Sequence, residues 1–316
     1  MFPADARFGR ISVVNPVLAL LLRIPTHGLG LFVAALPRSW EVALGRFLGR
    51  VALRVDPKRR KIAEENIRRC LPELGPQGWK KILRENYEHY GVLVLELAHM
   101  FTPIDGHWRA YVARTAPVEG LEHWEKVHAR GKGELFCSAH LANWEFAAAA
   151  GAIRGMKVTI VTRKLKPQWL HDWMETVRLS TGVRCAYQPR TVPTVMKRLR
   201  DGEGVVFVMD QYMPPPMGEP TRFFGVTVDT LAALAPLARR TGAAILPVRQ
   251  IRGRDGLVRI LVDPEFVLGD DDKADNQRLA DLVESWIRAV PGQWLWAHRR
   301  FKHVDWTEAD RRAQTA

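Results

Sequence analysis

Cysteine is scarce: Cys70, Cys137 and Cys185 are the only three in 316 residues, and no two of them stand in a C-x-x-C spacing. An odd, scattered set excludes a disulfide framework and a zinc knuckle, and it suits a reducing compartment. No uninterrupted apolar run reaches the ~18 to 20 residues that span a bilayer as a helix. A G-x-S-x-G elbow is missing, so a protein serine nucleophile of that type is excluded, and without a cluster such as H-E-x-x-H no metal or cofactor is expected. No RNP, KH, helix-turn-helix or zinc-finger pattern occurs, and the basic residues are spread over the whole chain. Internal repeats and low-complexity segments are also absent. Acidic residues are in deficit, 34 against 47 Lys and Arg, for a net charge of +13. That balance implies an anionic partner: nucleic acid, phospholipid or acidic protein. Eleven tryptophans accompany it, and Trp with Arg and Lys is a membrane-interface combination at least as readily as a nucleic-acid one.

At the N-terminus, residues 11–22 (ISVVNPVLALLL) are apolar but broken by Asn15 and Pro16. Arg23 interrupts the run and residues 28–36 (GLGLFVAAL) resume it. No small-residue cleavage site follows a clean apolar core, which disfavours a removable signal. Two short apolar pieces flanked by Arg10, Arg23 and Arg38 suit a segment lying in or dipping into an inner leaflet, basic residues on the cytoplasmic side. Two ordinary buried helices would read the same way. The expected division is a membrane-associating segment over 1–38, a single domain over 39–303 and a polar tail over 304–316.

From Ser39 the pattern is helical, with Trp40, Ala43, Leu44, Phe47, Leu48, Val51 and Ala52 at helical spacing. A basic helix over 57–71 and a long helix over 79–101 follow. A βαβ-like alternation then begins: strands over 134–138, 157–161, 204–209, 244–249 and 257–262, and helices over 167–179, 193–199, 231–240 and 273–289. The fold class is α/β, a mixed central sheet flanked by helices with the N-terminal helices packed alongside.

Chemistry concentrates in SAHLANWEFAAAA. ELFCS, over 134–138, is of strand length, Asn143 is a good N-cap, and residues 144–150 are rich in alanine, the best helix former. His140 therefore falls in a strand-to-helix turn and Glu145 in the first helical turn, where the positive helix end keeps a carboxylate ionised. Such a carboxylate can orient the imidazole and stabilise it after it takes a proton from a hydroxyl. With no protein nucleophile in view, a substrate hydroxyl is the expected attacker. Cys137, just before the site, reads as a buried structural thiol more readily than as a nucleophile. Three expected strands end in polar groups, at His140, at Arg163, and at Asp210 with Gln211. Ligands of open α/β sheets bind at carboxyl ends of strands. Arg163 there could hold a substrate phosphate or pair with Asp210.

These stretches carry a resemblance. HLANWE, DGEGVVFVMDQ, the RFFG at 222–225, LARRTGAAILPV and PGQWLWAHRRFK stand in an order that resembles the lipid A late acyltransferase family, whose relatives include phosphatidylinositol mannoside acyltransferases. KRRKIAEENIRRCLPEL and GVLVLELA fit its helical region, so the likeness runs from the apolar N-terminus to Lys302. It implies a glycerophosphate-acyltransferase-like fold and O-acyl transfer to a glycolipid hydroxyl, with a lipid A precursor the family's commonest acceptor. It also implies a thioester donor, acyl carrier protein or acyl-CoA, at the cytoplasmic face of the bacterial inner membrane. His140 and Glu145 match its H-x4-D/E motif, and Arg163 and Asp210 match positions near its site.

Residues 293–302 (QWLWAHRRFK) alternate as a strand would, with Trp294, Trp296, His298 and Arg300 on one face and Arg299 on the other. Arg299 and Arg300 are candidate contacts to a phosphorylated headgroup. Two readings of other classes remain: a thioesterase using the same dyad with water, which would release free fatty acid, and a basic nucleic-acid-binding protein, whose binding would not depend on His140.

Overall fold

In a computed structural model describing residues 16–189 and 191–306, the N-terminal third is helical and an α/β unit follows. The helices are α1 (Pro16–Ala35), α2 (Arg38–Val55), α3 (Pro57–Cys70), α4 (Gly75–Ala98) and α5 (His107–Thr115). The alternation then runs β1 (Val118–Glu119), α6 (Leu121–His128), β2 (Glu134–Ser138), α7 (Trp144–Ile153), β3 (Val158–Thr162), α8 (Gln168–Ser180), β4 (Arg184–Tyr187), α9 (Val192–Arg200) and β5 (Gly204–Val208). A hairpin of β6 (Gly218–Phe223) and β7 (Val226–Leu231) leads to α10 (Leu234–Thr241), β8 (Ala244–Arg252), β9 (Val258–Val262) and α11 (Asp272–Ala289).

The main sheet has the order β1-β9-β8-β2-β5-β3-β4, with all pairs parallel except β8 with β9, so it is mixed as expected. β2 lies in its middle with every residue buried, which explains an apolar run without polar alternation. Successive β2 side chains feed opposite cores. Leu135 and Cys137 pack with α3, α10 and α11, whereas Phe136 packs with α5, α6 and α7. Helices thus cover both faces, and the polar chemistry is left to the sheet's ends.

Three expectations are corrected. The two apolar pieces at the N-terminus are one helix with Pro25 inside it, and no helix among the described residues is long and apolar enough to cross a membrane; residues 1–15 lie outside the described residues. The expected strand over 293–302 is a 3-10 turn and a series of bends, with a single bridge from Trp294 to Leu141. Trp294 and Trp296 are both buried, and the Trp296 indole N–H donates back to the Pro291 carbonyl at 2.6 Å. The alternation of residue types there reflects no ladder: the chain turns repeatedly, with the His298 N–H donating to the Leu295 carbonyl at 3.1 Å. The β6–β7 hairpin was hidden by the Pro-rich approach to it. Its turn is Phe224–Gly225, both at positive φ, and the expected helix over 231–240 begins only at Leu234.

α2 and α4 pack through glycine. A Cβ on Gly91 would lie 2.0 Å from the Gly45 carbonyl oxygen, and one on Gly49 would lie 2.1 Å from that of Tyr87. Backbones this close admit no side chain. Gly91→Val should therefore separate the two helices and cost about 1–3 kcal/mol, as overpacked cores do. Thermal melting of the variant against Gly91→Ala should show the larger residue lowering Tm further.

Candidate active site

β2 and β5 are parallel neighbours with Ser138 paired to Val208. Two residues beyond each strand stand His140 and Asp210, so the register itself sets them side by side. The His140 Nδ1–H donates to Asp210 Oδ1 at 2.8 Å, and the His140 backbone N–H donates to Oδ2 at 2.8 Å. The Trp294 indole N–H donates to Oδ2 at 2.7 Å. Asp210 is only 2% exposed. Burial pushes its carboxyl up, but His140 and the three donors outweigh burial and hold it down to about 2. Burial conversely pushes His140 down, and the Asp210 carboxylate with Glu145 beyond it raises the imidazole above its ordinary value. With the proton of the neutral ring on Nδ1, Nε2 is left as a lone-pair base. Gln211 places its amide nitrogen against the ring, 3.3 Å from Nε2, and Trp144 meets the ring edge-on at 4.9 Å between centroids.

Asn143 caps α7 as expected, its Oδ1 accepting the Phe146 N–H at 3.2 Å. Glu145 lies in the first turn, but it hydrogen-bonds Arg178 of α8 rather than His140. The guanidinium donates from Nε to Oε2 at 3.0 Å and from Nη2 to Oε1 at 2.6 Å. The carboxylate that orients His140 is Asp210. Glu145 instead forms a bidentate, largely buried ion pair in the lining of the same cavity.

That cavity is the site's second component. It has a volume of about 350 Å³ and runs from His140, Trp144 and Glu145 between α7 and the sheet toward Gly151, Met156 and Val262. Most of its lining is aliphatic, with Phe136 and Trp144 as aromatic members and Ser138, Thr162, Gln250 and Arg178 as polar ones besides His140 and Glu145. The alanine-rich α7 makes the room, because Ala147, Ala148 and Gly151 face it with little or no side chain. An imidazole in the lining of a mostly apolar slot is a layout that suits a hydrocarbon chain with a reactive head.

The remaining sequence candidates divide. Asp210 and Gln211 join His140. Arg163, just past β3, is exposed and donates to Gln188 Oε1 at 3.0 Å, so it neither pairs with Asp210 nor touches His140. Arg300 is buried at 1% exposure, stacked over Phe223 and donating to Thr230 Oγ1 at 2.8 Å. Its guanidinium is therefore enclosed by the protein rather than turned to the surface. Arg299 is exposed and lines a shallow basic depression with Lys58 and Arg59. Cys137 is fully buried and 3.4 Å from the Met209 sulfur, with burial raising its thiol to about 12, so it is no ready nucleophile. Sequence reasoning missed two participants, Arg178 and Trp294. Arg178 follows His171 and Met174 on the buried stripe of an amphipathic helix, and an arginine on such a stripe is a local signal of a buried acid partner. Trp294 carried no such signal.

Comparison with known proteins fits this geometry. A family model described as bacterial lipid A biosynthesis acyltransferase matches residues 23–303. The chain belongs to that family. It is an acyltransferase. Among its relatives, an Escherichia coli K12 protein named lipid A biosynthesis lauroyltransferase is 28% identical over 274 residues, 85% of this chain and 88% of the relative. Another from the same strain, lipid A biosynthesis palmitoleoyltransferase, is 26% identical over 265 residues, 82% and 84% of the two chains. A Mycobacterium tuberculosis phosphatidylinositol mannoside acyltransferase is 29% identical over 187 residues, 56% of this chain and 57% of the relative. Family membership thus spans both the strand ends that hold His140 and Asp210 and the helix that lines the cavity.

The buried pair of Glu145 and Arg178 generates a stability test. Arg178→Met should destabilise by about 3–5 kcal/mol, since it strands a buried carboxylate. Adding Glu145→Gln should recover part of that loss. Denaturant unfolding of the two single variants and the double variant measures the coupling.

Proposed function

We propose that the protein transfers a fatty acyl group from an acyl thioester to a hydroxyl of a lipid A precursor by direct attack, with His140 as general base. The observation that carries this reading is His140, held by Asp210, in the lining of a mostly apolar cavity. The acyl chain lies in the cavity with its thioester carbonyl beside Nε2. His140 takes the proton from the acceptor hydroxyl as its oxygen attacks the carbonyl carbon. Asp210 fixes the tautomer and stabilises the imidazolium without accepting the proton, as its depressed pKa requires. The tetrahedral oxyanion collapses, the C–S bond breaks, and His140 returns the proton to the departing thiolate. Gln211 offers an N–H near where the oxyanion develops. Glu145, fixed by Arg178, adds negative charge that favours the imidazolium and helps line the cavity. The donor is an acyl carrier protein or acyl-CoA. The net charge of +13 suits an acidic carrier and an anionic glycolipid alike.

Attachment to a membrane surface, which we place at the inner face, draws its support from α2. Trp40, Phe47, Leu48, Val51 and Val55 are exposed at 69, 55, 40, 39 and 71%. At ~100° per residue they fall within about a third of a turn, on the side away from Gly45 and Gly49, with Arg46, Arg50 and Arg54 along one edge. An apolar stripe with a basic border is the pattern of a helix lying in a membrane interface. Replacing Trp40 and Phe47 with serine should weaken sedimentation with vesicles containing anionic phospholipid by at least tenfold, while turnover of detergent-solubilised substrate changes little.

Purified protein given an acyl thioester and a lipid A precursor should yield the acylated glycolipid by mass spectrometry. Free fatty acid alone, formed equally without acceptor, would instead indicate a thioesterase. His140→Ala should abolish ester formation. The wild-type rate should rise with pH through the raised His140 pKa, because only the neutral imidazole is a base. Asp210→Asn removes the charge that raises it. That variant should lower kcat/KM by roughly 10²–10⁴-fold and move the acid limb of its pH profile to lower pH.

A further inference from the structure

Halfway between His140 and Glu145 the chain takes a conformation that an L-residue avoids. Ala142 has φ of 42°, in the left-handed region, and it is fully buried. Both of its peptide groups are held from outside the loop. Its N–H donates to the Gln293 carbonyl at 3.1 Å, and its carbonyl lies 3.2 Å from His89 Nε2. His89 is on α4 and 6% exposed. At its other ring nitrogen, Arg252 donates from Nε to Nδ1 at 3.3 Å. A guanidinium can only donate, so Nδ1 must accept and the ring proton must sit on Nε2, where it bonds Ala142. Glu96, wholly buried, accepts from both Arg252 Nη atoms, at 2.7 Å for the Nη2 to Oε2 bond, and also from Arg38. Its Oε2 accepts from the Asn143 side-chain amide at 3.0 Å as well, and Asn143 caps the helix bearing Glu145.

We propose that His89 is a positioning residue for the acyl transfer, holding Ala142 in its left-handed conformation so that His140 and Glu145 face the cavity together. Arg252 and Glu96 lock His89 in the one tautomer that can do this. Burial and the adjacent Arg252 push the imidazole down to about 3, in keeping with a neutral ring across the working pH range. The inference rests on His140 being the base, because a loop that merely folds would need no such accuracy. Left-handed backbone is disfavoured by the Cβ, a constraint glycine does not have. A residue that merely fills space and one that holds a strained neighbour can therefore be separated.

The test is a cycle of His89→Leu, Ala142→Gly and the double variant, read as kcat, KM for the thioester and Tm. His89→Leu should lower kcat by on the order of 10²-fold, the cost of misplacing a catalytic group by about an ångström, with KM within a few-fold of wild type. Ala142→Gly in that background should restore kcat by roughly tenfold, the equilibrium penalty that a Cβ carries in this conformation. Wild-type kcat in His89→Leu would overturn the proposal, as would a loss that Ala142→Gly leaves unrepaired while Tm falls in step. Should His89→Leu fail to fold, His89→Gln and His89→Asn replace it. Glutamine places an amide donor where Nε2 stands and asparagine does not, so Gln should exceed Asn by tenfold or more, and equal rates would overturn the proposal. His140→Ala, run alongside, separates the two readings. If it stays active the base assignment fails, and if it is dead while His89→Leu is intact only the positioning role fails.

Discussion

The site depends on the register between β2 and β5. A parallel ladder fixes which residues leave two strands at the same height, and Ser138 opposite Val208 places His140 against Asp210. The Met209 N–H also donates to the Ser138 carbonyl at 3.0 Å, so the ladder persists past the strand ends and leaves the imidazole little freedom to swing. A slip of one residue would turn the Asp210 side chain to the opposite face of the sheet. The carboxylate also needs its three donors, because an ionised group at 2% exposure is tolerated only when hydrogen-bonded. One donor is Trp294, which is why the bends after α11 must close over the strand ends before the base is oriented.

A local pair was the most legible feature of the sequence, and locality explains both what it conveyed and what it concealed. Strand, N-cap and helix around His140 are set by neighbouring residues, and each stands where spacing places it. The partner of His140 is 70 residues away and is chosen by strand order, which no local pattern encodes. Glu145 was the nearest carboxylate in sequence and so received the orienting role. Arg178, on a helix two elements later, claims it in space. Arg163 shows the converse. It ends a strand like His140, and β3 lies between β5 and β4, but its exposed side chain bonds Gln188 beyond β4 rather than Asp210 beyond β5.

The C-terminal segment misled for a different reason. Period-two alternation of residue types implies opposite faces only where the backbone is extended, and this segment is a 3-10 turn followed by repeated turns. What QWLWAHRRFK does instead is pack against the strand ends: Trp294 reaches Asp210, and Arg300 stacks on Phe223. The Arg300 guanidinium makes one hydrogen bond, to Thr230, and no ion pair among the described residues. Burial lowers its pKa to about 10, the nearby Asp210 charge opposing that effect. A buried cation near Asp210 favours the ionised form of that carboxylate, as does His140.

α7 ties the polar and apolar halves of the site together. Its first turn must carry a carboxylate that Arg178 can reach, while its next two turns must stay clear of the cavity. A sequence of large aliphatics would satisfy helix propensity and fill the core, as helices against a sheet usually do, yet it would close the slot. Alanine and glycine keep the propensity of the helix largely intact while withholding volume. The low side-chain mass of WEFAAAAGAI is thus the condition for the cavity beside His140 to stay open, and the helix keeps its place by other means. Phe146 packs with Trp108 and Tyr111 on its far side, Asn143 caps its start, and Glu145 ties it to α8. Rigidity in α7 comes from these three attachments rather than from filling the space it faces.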